Sequence, residues 1–221
     1  MARFDPRIAV SVGLGLVVQF ALTILAWGDW QTFFDHPARL LFVIASILLG
    51  LLACFSGSSG ISGGQSHSPA SKRILLPMII VLIASLLIPP YCDRRNIWSI
   101  DNDVTRYFGL ILFLIGSILR LMAVFALGPR FSGLVAIQAE HKLKTDGIYQ
   151  QVRHPSYTGL LVATIGSVLV FRSTIGLLLT VALFFLLLSR MNDEERFLEA
   201  EFGDEYRVYR QKTWRLLPYV Y

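Results

Sequence analysis

Six apolar runs separated by polar connections constrain this chain more than any other feature: Ile8 to Trp27, Leu40 to Phe55, Ile74 to Pro90, Tyr107 to Gly128, Tyr157 to Phe171 and Thr174 to Ser189. At 1.5 Å rise per residue a helix needs roughly 20 residues to cross about 30 Å of hydrocarbon, so the first and fourth runs suffice alone. The other four are shorter and span if flanking Arg, Lys and aromatic side chains snorkel or the bilayer thins. The last two, split only by Arg172 and Ser173, read as a tight helical hairpin. The expected fold class is all-α, a multi-pass transmembrane helix bundle of about six spans with a C-terminal hairpin and a cytosolic C-terminal helix. No small-residue cleavage site follows Trp27-Gly28-Asp29-Trp30, so the first run is expected to stay as a span rather than to be removed as a signal peptide.

Composition excludes the main alternatives. Only 16% of residues are charged and 54% are hydrophobic, against about 25% charged in an average soluble domain. Disorder requires low hydrophobicity and high net charge, which this chain lacks. The net charge of +5 falls between apolar runs rather than along a polar face, which suits anionic lipid headgroups and topology rather than nucleic acid. Cys54 and Cys92 lack metal-ligand spacing, so neither a disulfide framework nor a metal site is expected.

The basic residues orient the bundle. With six crossings and the N-terminus inside, the inner segments carry 14 Lys and Arg and the outer ones 5, with Arg120 inside a run. Basic residues stay on the cytoplasmic side, so both termini are expected there, in the inner membrane if the cell is bacterial. The two most polar segments, 129–156 and 190–221, then share one side. The Ser- and Gly-rich stretch Ser56 to Ser71 reads as a loop, and His36 and His67 as solvated. The Gly residues at 13, 15, 109 and 116 read as sites of close helix packing.

The first polar stretch runs from His141 to Gly159. Asp146-Gly147 is a turn signal, and Pro155 fits the first turn of a helix, where its missing N–H costs nothing. Arg153 and His154 then sit at a helix N-terminus, which favours an anionic or polar group. A basic interfacial anchor with Tyr149 and Tyr157 as its aromatic belt accounts for the same residues. In the second stretch, continuing the sixth run as a helix puts Arg190 and Glu194 on one face, with Gly203 as the cap. A solvated charged helix and a headgroup-level pocket are both open on spacing alone. Arg120 is a costly intramembrane charge that points to function or snorkels to the cytoplasmic lip.

Together the two stretches resemble the isoprenylcysteine carboxyl methyltransferase family and its phospholipid-methyltransferase relatives. The resemblance runs from about Leu119 through Pro218: Gly128 and Phe131, His141-x-Leu143, Gly147-x-Tyr149, Arg153-His154-Pro155-x-Tyr157-x-Gly159, Arg190, Glu194-Glu195-x-x-Leu198, Phe202-Gly203, Tyr206, Tyr209 and Pro218. It implies methyl transfer from S-adenosylmethionine by a core at 105–221, with residues 1–104 forming N-terminal helices of the same membrane domain. Carried onto matching positions, Gln138, His141, Lys142, Leu143, Lys144, Tyr149, His154, Pro155, Ser156 and Tyr157 surround that cofactor and Glu194 holds its polar end. Arg190 holds the acceptor carboxylate, and Arg153 is a second residue for that role. The implied acceptor is a prenylcysteine-like lipid entering from the bilayer.

Those residue types suit the chemistry. A carboxylate is ionised near neutral pH, so no general base is needed, and alignment of donor and acceptor supplies up to roughly 7–11 kcal/mol. Methylation of an amine or thiol is the alternative, requiring a base or a depressed acceptor pKa. A nicotinamide-dependent lipid reductase and a non-catalytic membrane protein are the other classes.

Overall fold

The computed structural model describes residues 6–56, 66–67, 69–128, 131, 136–137 and 143–219. The chain is a bundle of α-helices: α1 (Pro6–Trp27), α2 (Trp30–Phe33), α3 (Pro37–Ala53), α4 (Pro69–Arg95), α5 (Val104–Leu127), α6 (Pro155–Val170), α7 (Thr174–Phe202) and α8 (Asp204–Lys212). Four of them, α1, α4, α5 and α7, are long and apolar enough to cross a membrane, and α3 and α6 are shorter apolar helices. Two strands of two residues each, β1 (Ser66–His67) and β2 (Ala136–Ile137), pair antiparallel and join the connection after α3 to the connection after α5. The Ser- and Gly-rich loop otherwise lies largely outside the described residues.

Local chemistry sets the element ends. Asp29 accepts hydrogen bonds from the N–H groups of Gln31 and Thr32 (3.0 and 3.4 Å) and so starts α2, a short helix that the apolar pattern does not announce. His36, expected to be solvated, starts α3 instead: its Nδ1 accepts from the Ala38 N–H (3.2 Å) ahead of Pro37. The α6–α7 hairpin turns through Arg172 at φ +49°, and Ser173 Oγ accepts from the Gly176 N–H (3.0 Å) to begin α7. α7 runs through the polar stretch and ends at Gly203, whose φ of +52° is a conformation that a residue without Cβ adopts freely.

The closest contact in the bundle is the seam between α5 and α6. A Cβ added at Gly109 would lie 2.7 Å from Gly166 O, and one added at Gly159 would lie 2.6 Å from both Arg120 N and Gly116 O. The four glycines let the two backbones touch, as small residues do where helices pack in lipid. Gly13 and Gly15 have no such part, since nothing lies within 4 Å of their Cβ positions; α1 presents them to open space.

One end of the bundle is locked by charge. Asp93 at the end of α4 has a fully buried side chain and receives Arg106 through two bonds (2.6 and 2.9 Å), Arg172 Nε at 3.1 Å, and Arg39 Nη1 at 3.7 Å. Arg39 also lies 4.1 Å over the Trp27 ring. Beside this network Trp27, Phe33, Phe42, Val170 and Phe171 form the apolar core. Elsewhere large apolar side chains face outward, among them Leu25, Leu48, Leu76, Ile111, Leu178 and Phe185. Exposure on that scale marks a lipid-facing surface, and the chain is an integral, multi-pass membrane protein.

Candidate active site

The opposite end carries the polar stretches. Pro155 occupies the first turn of α6, His154 is its N-cap residue, and both are buried. The residues before them, 151–154, run beside the C-terminal strand 213–216. Trp214 N donates to Gln151 O (2.8 Å), Arg153 N to Trp214 O (2.8 Å), His154 N to Arg215 O (3.1 Å), and Thr158 Oγ1 to Leu216 O (2.8 Å). The backbone that presents His154 is therefore held by the end of the chain.

The polar half of α7 meets this edge with two adjacent carboxylates that have different partners. Successive residues of a helix point about 100° apart, since 3.6 residues complete a turn. Glu194, half-buried, accepts a hydrogen bond from the Tyr157 hydroxyl (2.8 Å), and the same hydroxyl accepts from Arg190 Nε (2.8 Å). Arg190 and Glu194, one helical turn apart, thus converge on one phenolic oxygen of α6. Glu195 is buried, and its Oε1 lies 3.0 Å from His154 Nε2 and 3.2 Å from both Arg153 Nε and Arg215 Nε. The His154 and Tyr157 rings stack at 5.5 Å, 19° from parallel, and so connect the two groups.

Arg120, on α5, reaches the first turn of α6, where its Nη1 donates to Ser156 O (3.2 Å) and Ser156 Oγ (3.3 Å). Among the described residues it has no acidic partner. Tyr149 is buried on the 3-10 turn Gly147–Gln150; its hydroxyl donates to Ala123 O (3.2 Å) and its carbonyl accepts from Tyr209 Oη (2.7 Å). Burial disfavours the phenolate, so the pKa values of Tyr149 and Tyr206 lie well above the ordinary phenol range and that of Tyr209 is pushed up to about 12; all three stay neutral. Tyr206 is 1% exposed, and its hydroxyl has no hydrogen-bond partner among the described residues.

The expected site residues are placed as follows. Arg190, Glu194, Tyr157, Ser156, Pro155 and His154 come together at the start of α6 and the polar part of α7. Arg153 turns away from them: besides Glu195 it donates to Arg210 O (3.0 Å) and Thr213 O, and so fastens α8 and the C-terminal strand. Lys144 pairs with Asp146 at 2.8 Å, and Leu143 is half-buried. Gln138, His141 and Lys142 lie outside the described residues. Glu195 stands in the motif, yet only the fold reveals its task; Arg215 stands outside the motif, and no spacing in the sequence singles it out.

The fold and this cluster define a class: a multi-pass membrane helix bundle with a charge-paired polar site where the start of α6 meets the polar half of α7. Residues 109–200 match the model of the isoprenylcysteine carboxyl methyltransferase (ICMT) family. A probable protein-S-isoprenylcysteine O-methyltransferase of Oryza sativa subsp. indica is 31% identical over 179 residues, covering 77% of this chain and 87% of the relative. The protein-S-isoprenylcysteine O-methyltransferase of Schizosaccharomyces pombe is 28% identical over 210 residues, covering 92% and 79%. The solved structure of the eukaryotic intramembrane Ras methyltransferase ICMT superposes with a TM-score of 0.51 at 18% identity, over 94% of this chain and 86% of that one. The chain belongs to the isoprenylcysteine carboxyl methyltransferase family, and it is a membrane methyltransferase.

Proposed function

We propose that the protein transfers a methyl group from S-adenosylmethionine to the carboxylate of a prenylcysteine-like lipophilic acceptor that enters from the bilayer. The observation that carries this reading is the Tyr157 hydroxyl, which joins an anion, Glu194, to a cation, Arg190, at 2.8 Å each. A cationic donor and an anionic acceptor need one group of each sign, held close together. The plant and yeast relatives, named as isoprenylcysteine O-methyltransferases, support the choice of acceptor.

The residues present fit such a donor. Glu194 would hold its ammonium group, and the stacked His154 and Tyr157 rings would face its nucleoside. The buried Tyr206 hydroxyl, which has no hydrogen-bond partner among the described residues and feels the charges of Glu195, Arg153 and Glu194, marks a polar position that a ligand or water can satisfy. S-adenosylmethionine supplies, when bound, a methyl group on a cationic sulfur that a carboxylate oxygen takes up without any proton moving. Arg190 orients the acceptor: its Nε is fixed by Tyr157, which sets the plane of a guanidinium suited to carboxylate geometry. The same positive charge disfavours a protonated amine, so carboxylate methylation is preferred to methylation of a phospholipid headgroup. Arg120 adds a second guanidinium on the α5 side of this cluster, against Ser156. The helices before Val104 complete the bundle, and the region from 105 onward carries the reaction. Both termini are taken as cytoplasmic on the Lys and Arg count, in the inner membrane if the cell is bacterial.

A labelled-methyl assay with a farnesylated cysteine analogue, phosphatidylethanolamine and a simple thiol tests the reading. Label is expected in a base-labile ester on the farnesylated cysteine. Transfer confined to the phospholipid or the thiol would overturn the acceptor assignment.

A further inference from the structure

The C-terminal strand is tied to the site through both its backbone and its side chains. Arg215 takes part at three points: its carbonyl accepts from His154 N (3.1 Å), its Nη2 donates to Asn192 Oδ1 on α7 (2.5 Å), and its Nε lies 3.2 Å from Glu195 Oε1. That carboxylate oxygen is also the one beside His154 Nε2 at 3.0 Å. His154 is therefore gripped twice, through its backbone N–H by the Arg215 carbonyl and through its ring by a carboxylate that the Arg215 guanidinium holds. The ring in turn stacks on Tyr157, which carries Glu194 and Arg190.

We propose that Arg215 is a positioning residue for the methyl-donor site: strand 213–216 is a latch, and Arg215 is the catch that fixes His154 and Tyr157 in the orientation that receives the donor. The inference rests on the reading above that His154, Tyr157 and Glu194 hold that donor. Arg215 touches neither substrate. It acts through Glu195 and through its own backbone carbonyl. If the site is complete only with the latch docked, linkage requires the converse, that a bound donor holds the latch closed. The Arg215 side chain is 12% exposed and Glu195 is buried, so their contact is largely shielded from water, while the bond to Asn192 lies at the exposed rim.

The test uses the full chain in lipid nanodiscs, with S-adenosylhomocysteine as the probe. The first measurement is hydrogen exchange of the Arg153, His154 and Trp214 amides, which all bond across the latch. Saturating probe is expected to slow their exchange at least fivefold, while amides in the middle of α1 stay unchanged. The second is the affinity of the probe for Arg215→Ala and Arg215→Lys. The alanine variant is expected to bind at least tenfold more weakly. The lysine variant recovers part of this through its charge on Glu195, and KM for the acceptor stays within twofold in both.

Tight binding to the wild type with unchanged amide exchange, or with full affinity in Arg215→Ala, overturns the latch and leaves the donor site standing. Absence of binding to the folded wild type overturns the donor site itself. If Arg215→Ala fails to fold, the wild-type exchange measurement and the lysine variant still decide.

Discussion

Alanine at Gly116 puts a single methyl group where α5 and α6 have no room for one. Its Cβ would lie 2.7 Å from Gly159 O and 2.8 Å from Val162 C, and it would also press on Ala163 N, whereas ordinary contact begins at 3.4 Å. All three atoms are backbone, so no rotamer change relieves the overlap, and the helices must separate locally by more than about 0.7 Å. Overpacking of this kind costs about 1–3 kcal/mol. Against this, alanine recovers at most about 1 kcal/mol of helix propensity. The net expectation for Gly116→Ala is destabilisation of about 1–2 kcal/mol, read as a lowered thermal-unfolding midpoint in detergent or nanodiscs. Gly13→Ala on α1 is the internal control, because nothing lies within 4 Å of its Cβ. It is expected to be neutral or to raise the midpoint. Equal effects of the two substitutions would refute the reasoning that the α5–α6 seam is backbone on backbone.

Three further outcomes follow from particular contacts. Asp93→Asn leaves Arg39, Arg106 and Arg172 around a buried position with no negative charge; loss of one member of a buried ionic network costs about 3–5 kcal/mol, so the folded yield and the unfolding midpoint should both fall sharply, and an unchanged midpoint would contradict the network's role. Tyr157→Phe deletes the oxygen shared by Arg190 and Glu194. With a hydrogen bond to a charged group worth about 1.5–3 kcal/mol, kcat/KM for methyl transfer should drop by about 10- to 100-fold, and the melting midpoint should fall while the protein stays folded at the assay temperature. Tyr209, raised to about 12 by burial from about 10 in the unfolded chain, stabilises the fold fully below pH 10 and loses that contribution as pH rises from 10 to 12. Alkaline unfolding should therefore steepen in that window, and Tyr209→Phe should make it less steep, with buried Tyr149 and Tyr206 carrying the remainder; identical alkaline profiles would count against the assignment.

What the sequence made legible follows the range of the interactions involved. Apolar runs and their breaks are local, so the six main helices, the Arg172-Ser173 hairpin turn, Pro155 in the first turn of α6 and Gly203 at the end of α7 could all be anticipated. The i, i+4 spacing of Arg190 and Glu194 likewise put them on one face before the fold supplied Tyr157 as their shared partner. The rest depends on how helices rotate against one another. Nothing along the chain says that Glu194 turns toward Tyr157 while its neighbour Glu195 turns toward His154, Arg153 and Arg215. Gly13 and Gly116 look alike as letters; one faces open space and the other a backbone. Asp93 collects guanidiniums from α3, α5 and the α6–α7 turn, positions tens of residues apart that only the folded bundle brings together. Helix α2 is not legible in the sequence, because four residues capped by Asp29 carry no periodicity.

The central claim is that the Glu194, Tyr157 and His154 group holds the methyl donor at one end of the bundle. Calorimetric titration of S-adenosylhomocysteine into purified, folded protein measures it most directly, with Glu194→Gln alongside. The account predicts saturable one-to-one binding to the wild type and a loss of at least tenfold in affinity for the variant. Absence of binding to the folded wild type, or equal affinity for the two proteins, would contradict it.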